Sequence, residues 1–334
     1  MKYRVRHRSS YRYADPVDLS YHLLRLTPRI IPGQRVWDFT VTVDPAPLSQ
    51  EQGIDYFGNG LTFLTVGGAH RSLVIETLST VEVGFPPPAD PATTPAWEEV
   101  RDTLRTQSGR MSMRMAAGAM TMDSSAGGMS LYSPSYAPSG GMTMSMEAPS
   151  GLDETIQAAE FTHASPLVGF DQAALAYATQ SFPPGRPFLE GVLDLTSRIY
   201  QDFTFDPEAT QITTPLEEVM ARRRGVCQDF AHVEIAALRA LGLPARYVSG
   251  YIRTYPPEGS AGLVGVDASH AWVSVYCPGS GWIDVDPTND LVAGEEHILV
   301  AWGRDYTDVS PIRGVVLGGG DHSLQIAVEV TPIA

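Results

Sequence analysis

Arg224-Gly225-Val226-Cys227-Gln228-Asp229-Phe230-Ala231-His232 opens a segment whose apolar positions Ile235, Leu238 and Leu241 carry a helical period up to Gly242 and Pro244. Gly242 suits a helix stop and Pro244 forbids continuation, so the stretch predicts one helix that starts near Cys227. Gly225 permits a tight entry. The thiol of Cys227 then falls in the first turn, where unpaired backbone N–H groups and the helix dipole favour a thiolate. Position by itself fits a small buried hydrophobe equally well, as most free cysteines are. The partners decide.

A nucleophilic thiol needs a base within hydrogen-bond reach, and the chain offers eight histidines. Five residues along a helix turn a side chain by about 140° and raise it roughly 7.5 Å, so His232 faces away from Cys227 and reads as a packed or capping residue. Ser269-His270-Ala271-Trp272-Val273-Ser274-Val275-Tyr276 reads instead as a strand, with Ala271, Val273 and Val275 on one face and His270 and Trp272 on the other. Cys277-Pro278-Gly279-Ser280-Gly281 makes a turn into Trp282-Ile283-Asp284-Val285-Asp286-Pro287-Thr288-Asn289, which predicts a hairpin. Folding it about Gly279 sets His270 opposite Thr288 and makes Asp286 the diagonal same-face neighbour of His270, roughly 7–8 Å away at the backbone and within side-chain reach. Asp284 lies one pair further off, and a one-residue bulge would change that ranking. Asp284 and Asp290 also suit surface acids flanking a turn.

Cys227, His270 and Asp286 thus form a candidate series of nucleophile, base and orienter, which suits acyl transfer through a thioester. The backbone N–H of Cys227 is one candidate oxyanion donor, and a second is expected near residues 200–205. Trp272, Tyr251 and Trp282 are candidate substrate-binding residues, although aromatic side chains at strand positions more often fill a core.

Outward from this site, residues 1–88 alternate apolar and polar positions in short runs such as Trp37-Asp38-Phe39-Thr40-Val41-Thr42-Val43 and Leu73-Val74-Ile75-Glu76-Thr77. Asp15-Pro16, Pro32-Gly33, Gly58-Asn59-Gly60 and Gly67-Gly68 read as turns between them, which predicts an antiparallel sandwich or sheet ending at Phe85-Pro86-Pro87-Pro88. Residues 107–150 shift to Ser, Gly, Ala, Pro and Met and hold nine of the eleven methionines. Such an insert is expected to be disordered, since it lacks residues that could offset its ordering entropy. Its repeated Met-x-Met spacing admits a rival reading as a soft Cu(I) site. From 153 to 295 helical periods come first, over about 153–161 and 188–202, and strands return beyond Leu243, including 245–252, 270–276 and 282–285. Residues 296–334 form a C-terminal β extension with a last strand near 324–330.

The 334 residues suit two packed units, and 43% hydrophobic with 18% charged residues suits a globular chain without a run that could span a bilayer. Met1-Lys2-Tyr3-Arg4-Val5-Arg6-His7-Arg8 leads into an alternating stretch in place of a signal core, so a cytoplasmic location is expected. The formal net charge of −15 opposes polyanion binding, which excludes nucleic acid as an expected partner. Two cysteines, Cys227 and Cys277, are too few for a disulfide scaffold and suit a reducing compartment.

Four segments in order resemble the bacterial transglutaminase-like superfamily: 225–232, Ala245-Arg246-Tyr247-Val248-Ser249-Gly250-Tyr251, 269–273 and 281–289. Tyr11-Arg12-Tyr13, Leu24-Arg25-Leu26-Thr27-Pro28-Arg29 and Asp55-Tyr56-Phe57-Gly58-Asn59 look like the β-rich region that precedes the core in this branch, and Ala301-Trp302-Gly303-Arg304-Asp305-Tyr306-Thr307-Asp308-Val309 looks like its extension. The resemblance implies an α+β fold with a β-sandwich-like N-terminal domain and a cysteine-protease-like core that needs no cofactor and no metal. Matched motif to motif, it gives Cys227 as nucleophile, His270 as base and Asp286 as orienter. A peptide or protein substrate is expected, as a protease, amidase or transglutaminase would take, without membrane or nucleic acid. A non-catalytic scaffold keeping the same fold is the alternative.

Overall fold

The computed structural model describes residues 1–106, 154–253 and 269–333. The Met-rich segment, and with it both the disorder and the Cu(I) readings, lies outside the described residues. Strands β1 (Lys2–Leu24), β2 (Gln34–Asp44), β3 (Ser49–Ile54) and β4 (Gly60–Val83) come first, followed by a helix α1 over residues 97–106. Then come α2 (Glu154–Ala159), α3 (Gln172–Ala178), α4 (Phe188–Asp202), β5 (Thr204–Phe205), α5 (Leu216–Arg222), β6 (Arg224–Gly225) and α6 (Cys227–Ala240). The chain closes with β7 (Ala245–Ile252), β8 (His270–Cys277), β9 (Gly281–Asp286), β10 (Leu291–Val292), β11 (His297–Gly303), α7 (Tyr306–Val309), β12 (Ile312–Gly318) and β13 (His322–Ile333). No helix among the described residues is long and apolar enough to cross a membrane.

Of the sandwich and the sheet expected at the N-terminus, one six-stranded sheet forms. Its centre is a pair of very long antiparallel strands, β1 and β4, paired from Lys2↔Glu82 to Leu24↔Thr62. Asp15-Pro16 and Gly67-Gly68, read above as turns, lie inside these strands at shifts of register between Arg12 and Leu19. A bulge accommodates a proline without an N–H, so the same residues that could turn the chain only bend it. The C-terminal extension completes this sheet: β13 pairs the first half of β1 and β12 the second. The chain therefore leaves its first sheet at Val83 and returns to it at Ile312.

The second sheet has the antiparallel order β10-β9-β8-β7-β11. Pairs from Val273↔Val285 to Cys277↔Gly281 reproduce the hairpin register obtained by folding about Gly279. Helix α6 packs on β7 and β8, with Phe230, Val233 and Ala237 buried together with Val273 and Val275. Burying side chains of this size stabilises by roughly 1.5–3 kcal/mol each. On α4, Leu189, Val192, Thr196 and Ile199 are buried at spacings of three and four, as the helical period predicts, with Leu195 beside them, whereas Leu193 is half-buried and Tyr200 exposed where the same period would turn them inward.

Two side-chain amides fasten the sheets together by imitating a strand partner. The Gln34 amide donates to Leu299 O and accepts from Leu299 N, at 2.7 and 2.8 Å, and the Asn59 amide does the same for Trp302 O and N, at 2.8 and 3.0 Å. Gly250 permits close approach within the second sheet, since a Cβ there would collide with Ile298 O of β11 and the Trp272 ring of β8.

Candidate active site

Helix α6 begins at Cys227 because the chain before it is held from both sides. Gly225 pairs with Phe205 in the short parallel ladder, and Val226 caps the helix in extended conformation. Asp229, in the first turn, accepts the Val226 N–H at 2.8 Å and the Thr210 hydroxyl at 2.6 Å. Cys227 is left half-buried at the helix mouth, whereas Cys277 is fully buried at the end of β8. Burial pushes the Cys277 thiol up, so it is a poor thiolate.

His270 heads β8, and its Nε2 lies 2.8 Å from Oδ2 of Asp286. With Nε2 donating to that carboxylate, Nδ1 is the nitrogen that remains for the thiol. Desolvation alone would lower the His270 pKa, but hydrogen bonds to Asp286 and Cys227 and their charges outweigh it and push it up to about 10. Burial likewise opposes the charge on Asp286, yet hydrogen bonds from His270 and His297 hold its carboxyl well below the usual range. The two shifts describe one interaction seen from its two ends. Both shifts favour an imidazolium beside a carboxylate.

Asp286 is fully buried and saturated with donors. His297 Nε2 donates to Oδ2 at 3.2 Å and Asn289 Nδ2 at 2.7 Å, while the N–H groups of Thr288 and Asn289 reach Oδ1 at 2.9 and 3.3 Å. Gly294 N points at His297 Nδ1 from 3.4 Å, which makes that nitrogen the acceptor and Nε2 the protonated one. His297 and Asn289 were not identified from sequence. Asn289 carried a usable signal, three residues past an aspartate in a turn, whereas His297 arrives from β11 and had none.

Behind this group Glu234, two turns along α6 from Cys227, is fully buried. Thr196 Oγ1 lies 2.7 Å from Glu234 Oε1 and 3.0 Å from Val192 O, and a hydroxyl has a single hydrogen for two acceptors. The contacts reconcile when Glu234 is protonated and donates to Thr196, which donates to Val192. Burial, reinforced by the charge of Asp286, pushes Glu234 up to about 8, in keeping with that arrangement.

The remaining sequence candidates divide. Trp272 donates its indole N–H to Asp284 Oδ2 at 3.0 Å and lies 6.0 Å from the His270 ring. It lines, with Trp282, a cavity of about 530 Å³. Tyr251 is core: it is 3% exposed, and its hydroxyl lies 3.1 Å from His7 Nδ1 between the sheets. Its strand parity turns it inward, which corrects its assignment to a substrate groove. His232 does pack, against Tyr247, and accepts the Tyr306 N–H at 3.2 Å. In the 200–205 segment, the N–H groups of Phe203 and Thr204 are already bonded to Ile199 O and Arg223 O. Ligand atoms of His270, Asp286 and His297 lie within 4.8 Å of one another and could hold a metal ion. Their direct hydrogen bonds account for the grouping as it stands.

A thiol at a helix mouth, an imidazole heading the adjacent sheet and a buried carboxylate behind it define a class, α+β proteins with a cysteine-centred site. A model of the bacterial transglutaminase-like N-terminal region matches residues 3–82, and one of the transglutaminase-like superfamily matches 176–287, a span that holds all three residues. An uncharacterized protein of Mycobacterium tuberculosis is 38% identical over 340 residues, covering 99% of this chain and 93% of that one. A protein-glutamine gamma-glutamyltransferase of Pseudomonas aeruginosa is 38% identical over 119 residues, 33% of this chain and 18% of that protein. A candidate cysteine protease from Cytophaga hutchinsonii shares the fold, with a TM-score of 0.66 at 20% identity over 99% of this chain and 90% of that one. The chain belongs to the transglutaminase-like superfamily.

Proposed function

We propose that the protein catalyses cysteine-dependent acyl transfer on peptide or side-chain amides. Cys227 attacks the amide carbonyl, and a tetrahedral intermediate forms with its oxyanion near the Cys227 N–H. His270 transfers a proton to the leaving amine, and a thioester remains on the enzyme. Water or an amine, deprotonated by His270, then attacks the thioester carbonyl and releases Cys227 as thiolate. Water as acceptor gives a peptidase or amidase, and a lysine-like amine gives a transglutaminase, as in the Pseudomonas relative's name. Asp286 holds the His270 ring by Nε2 and favours its protonated form, which strengthens it as a base once the proton has left.

The observation that carries this reading is the 2.8 Å bond from His270 Nε2 to a fully buried carboxylate, with the thiol interacting on the same ring. Alkylation by iodoacetamide tests it without knowledge of the substrate. Cys227 is expected to react near neutral pH well ahead of Cys277, and Cys227→Ala to abolish amide turnover. Equal, slow labelling of both thiols, with unchanged activity in Cys227→Ala, would overturn it.

A further inference from the structure

The 530 Å³ cavity lies at the seam between the two sheets and is separate from the mouth of α6. One wall is Ile31, Pro32 and Phe85 to Ala89, and the other is the face of the second sheet carrying Trp272, Trp282 and Trp302. Its volume is in the range that small-molecule sites occupy, and its walls are more apolar than polar, with Arg246 and His297 set against the carboxylates of Asp284 and Glu154.

One of those polar groups is unusual. Arg246, on β7, is held between two indoles, its guanidinium carbon 3.9 Å from the centre of the Trp282 ring and 3.7 Å from that of the Trp302 ring. Trp302 is capped on its other side by Arg29 at 3.5 Å, so guanidinium and indole alternate in a stack. Arg246 is only 6% exposed, its Nε has no hydrogen-bond partner, and no carboxylate forms an ion pair with it among the described residues. Burial lowers its pKa to about 9, with the charges of Asp284 and Glu154 in partial opposition. A buried cation costs stability unless an anion meets it. Arg246 lines the cavity, and a guanidinium edge matches the two oxygens of a carboxylate.

We propose that this cavity binds a carboxylate on an apolar body, held at Arg246 between the indoles. The ligand is either a small free acid or the C-terminal carboxylate of a peptide, two sources with the same chemistry. The cavity also backs onto the candidate active site, because His297 lines it while bonding Asp286. The site stands independently of any role for Cys227.

Titration of the full chain by tryptophan fluorescence tests this, since three of its five tryptophans line the cavity. The probes are 3-phenylpropionate for the free acid and N-acetyl-glycyl-phenylalanine for the peptide terminus, each against its carboxamide. At least one acid should saturate the signal below roughly 1 mM and bind about tenfold tighter than its amide. The acid that does so identifies the source. Arg246→Gln should remove the difference, and Cys227→Ala should leave it intact. Because Arg246→Gln also disturbs the stack, Asp284→Asn is the deciding variant. It keeps an acceptor for the Trp272 indole and deletes a negative charge that both repels an incoming carboxylate and partly satisfies Arg246, so acid binding should tighten severalfold while amide binding stays put. Acid and amide binding alike, no saturation by either acid, or no tightening in Asp284→Asn would each overturn the proposal.

Discussion

Two histidines, one in each sheet, are both largely withdrawn from water, yet one is driven to the neutral form and the other to the charged form. His7, on β1, is 1% exposed and bonds to the Ser9 hydroxyl at 3.0 Å and the Tyr251 hydroxyl at 3.1 Å. With neutral partners only, desolvation drives its pKa down to about 4. His270 loses water too, but Asp286 and Cys227 carry it up to about 10. One carboxylate separates a structural imidazole from one that can hold a proton beside a thiol. The buried histidines of the first sheet meet hydroxyls, as with His7 and Ser9 or His22 and Ser20, whereas the second sheet converges five donors on a single acid.

Asp286→Asn should break the contrast most severely. His270 would lose its charged partner and become more like His7, and amide turnover should fall by on the order of 10⁴-fold, as removal of an orienting carboxylate does in other triads. Steady-state kinetics on a reporter amide checks this. A fall of less than about tenfold would mean that Asp286 does not orient the base.

The next effect concerns His297. His297→Leu leaves Asp286 one donor short and should cost about 1.5–3 kcal/mol in denaturant unfolding, with His297→Gln recovering part of it. His7→Leu sharpens the comparison from the other side. It should cost about 1–3 kcal/mol by leaving Ser9 and Tyr251 without a partner, yet leave the alkylation rate of Cys227 unchanged. Loss of thiol reactivity in that variant would show that the first sheet contributes to the site beyond support.

Smaller effects appear as pH dependence. The depressed Asp286 contributes stability above its ordinary range near 3.8, which is lost as pH falls through its folded value; the raised His270 contributes fully below 6.5, and this is lost as pH rises toward about 10. Their joint contribution therefore peaks between about pH 4 and 6.5, and Asp286→Asn should flatten both flanks. Glu234 adds the gentlest slope. Its pKa is raised from 4.5 to about 8, so folding loses stability as pH climbs between those values. Glu234→Gln, which can still donate to Thr196, should gain on the wild type across that interval by at most about 1.4 kcal/mol per pH unit. Melting curves at a series of pH values check both expectations.

The candidate site was legible where local pattern determines geometry. Alternation over 270–276 and the turn about Gly279 fix one register, and a slip by one residue would have turned His270 and Asp286 to the helix-packed face. The stop at Gly242 and Pro244 delimits α6 in the same way. What sequence concealed is non-local. Nothing within β12 or β13 says that they complete a sheet begun at Lys2, and Asp15-Pro16 carries the same turn chemistry whether the partner strand bends or ends. His297 reaches Asp286 only because β11 lies beside β7, so its role could not be read before the sheet was assembled. Tyr251 was misread for the related reason that an aromatic residue on a strand has two faces to choose from.

The most direct test is titration of the histidine side chains by NMR, with His270 and His7 assigned through single substitutions. His270 is expected to stay protonated through neutral pH and to release its proton only near 10, His7 to titrate near 4, and Asp286→Asn to bring the His270 transition down. A His270 that titrates at or below about 6.5 in the wild type, or does not respond to Asp286→Asn, would contradict this.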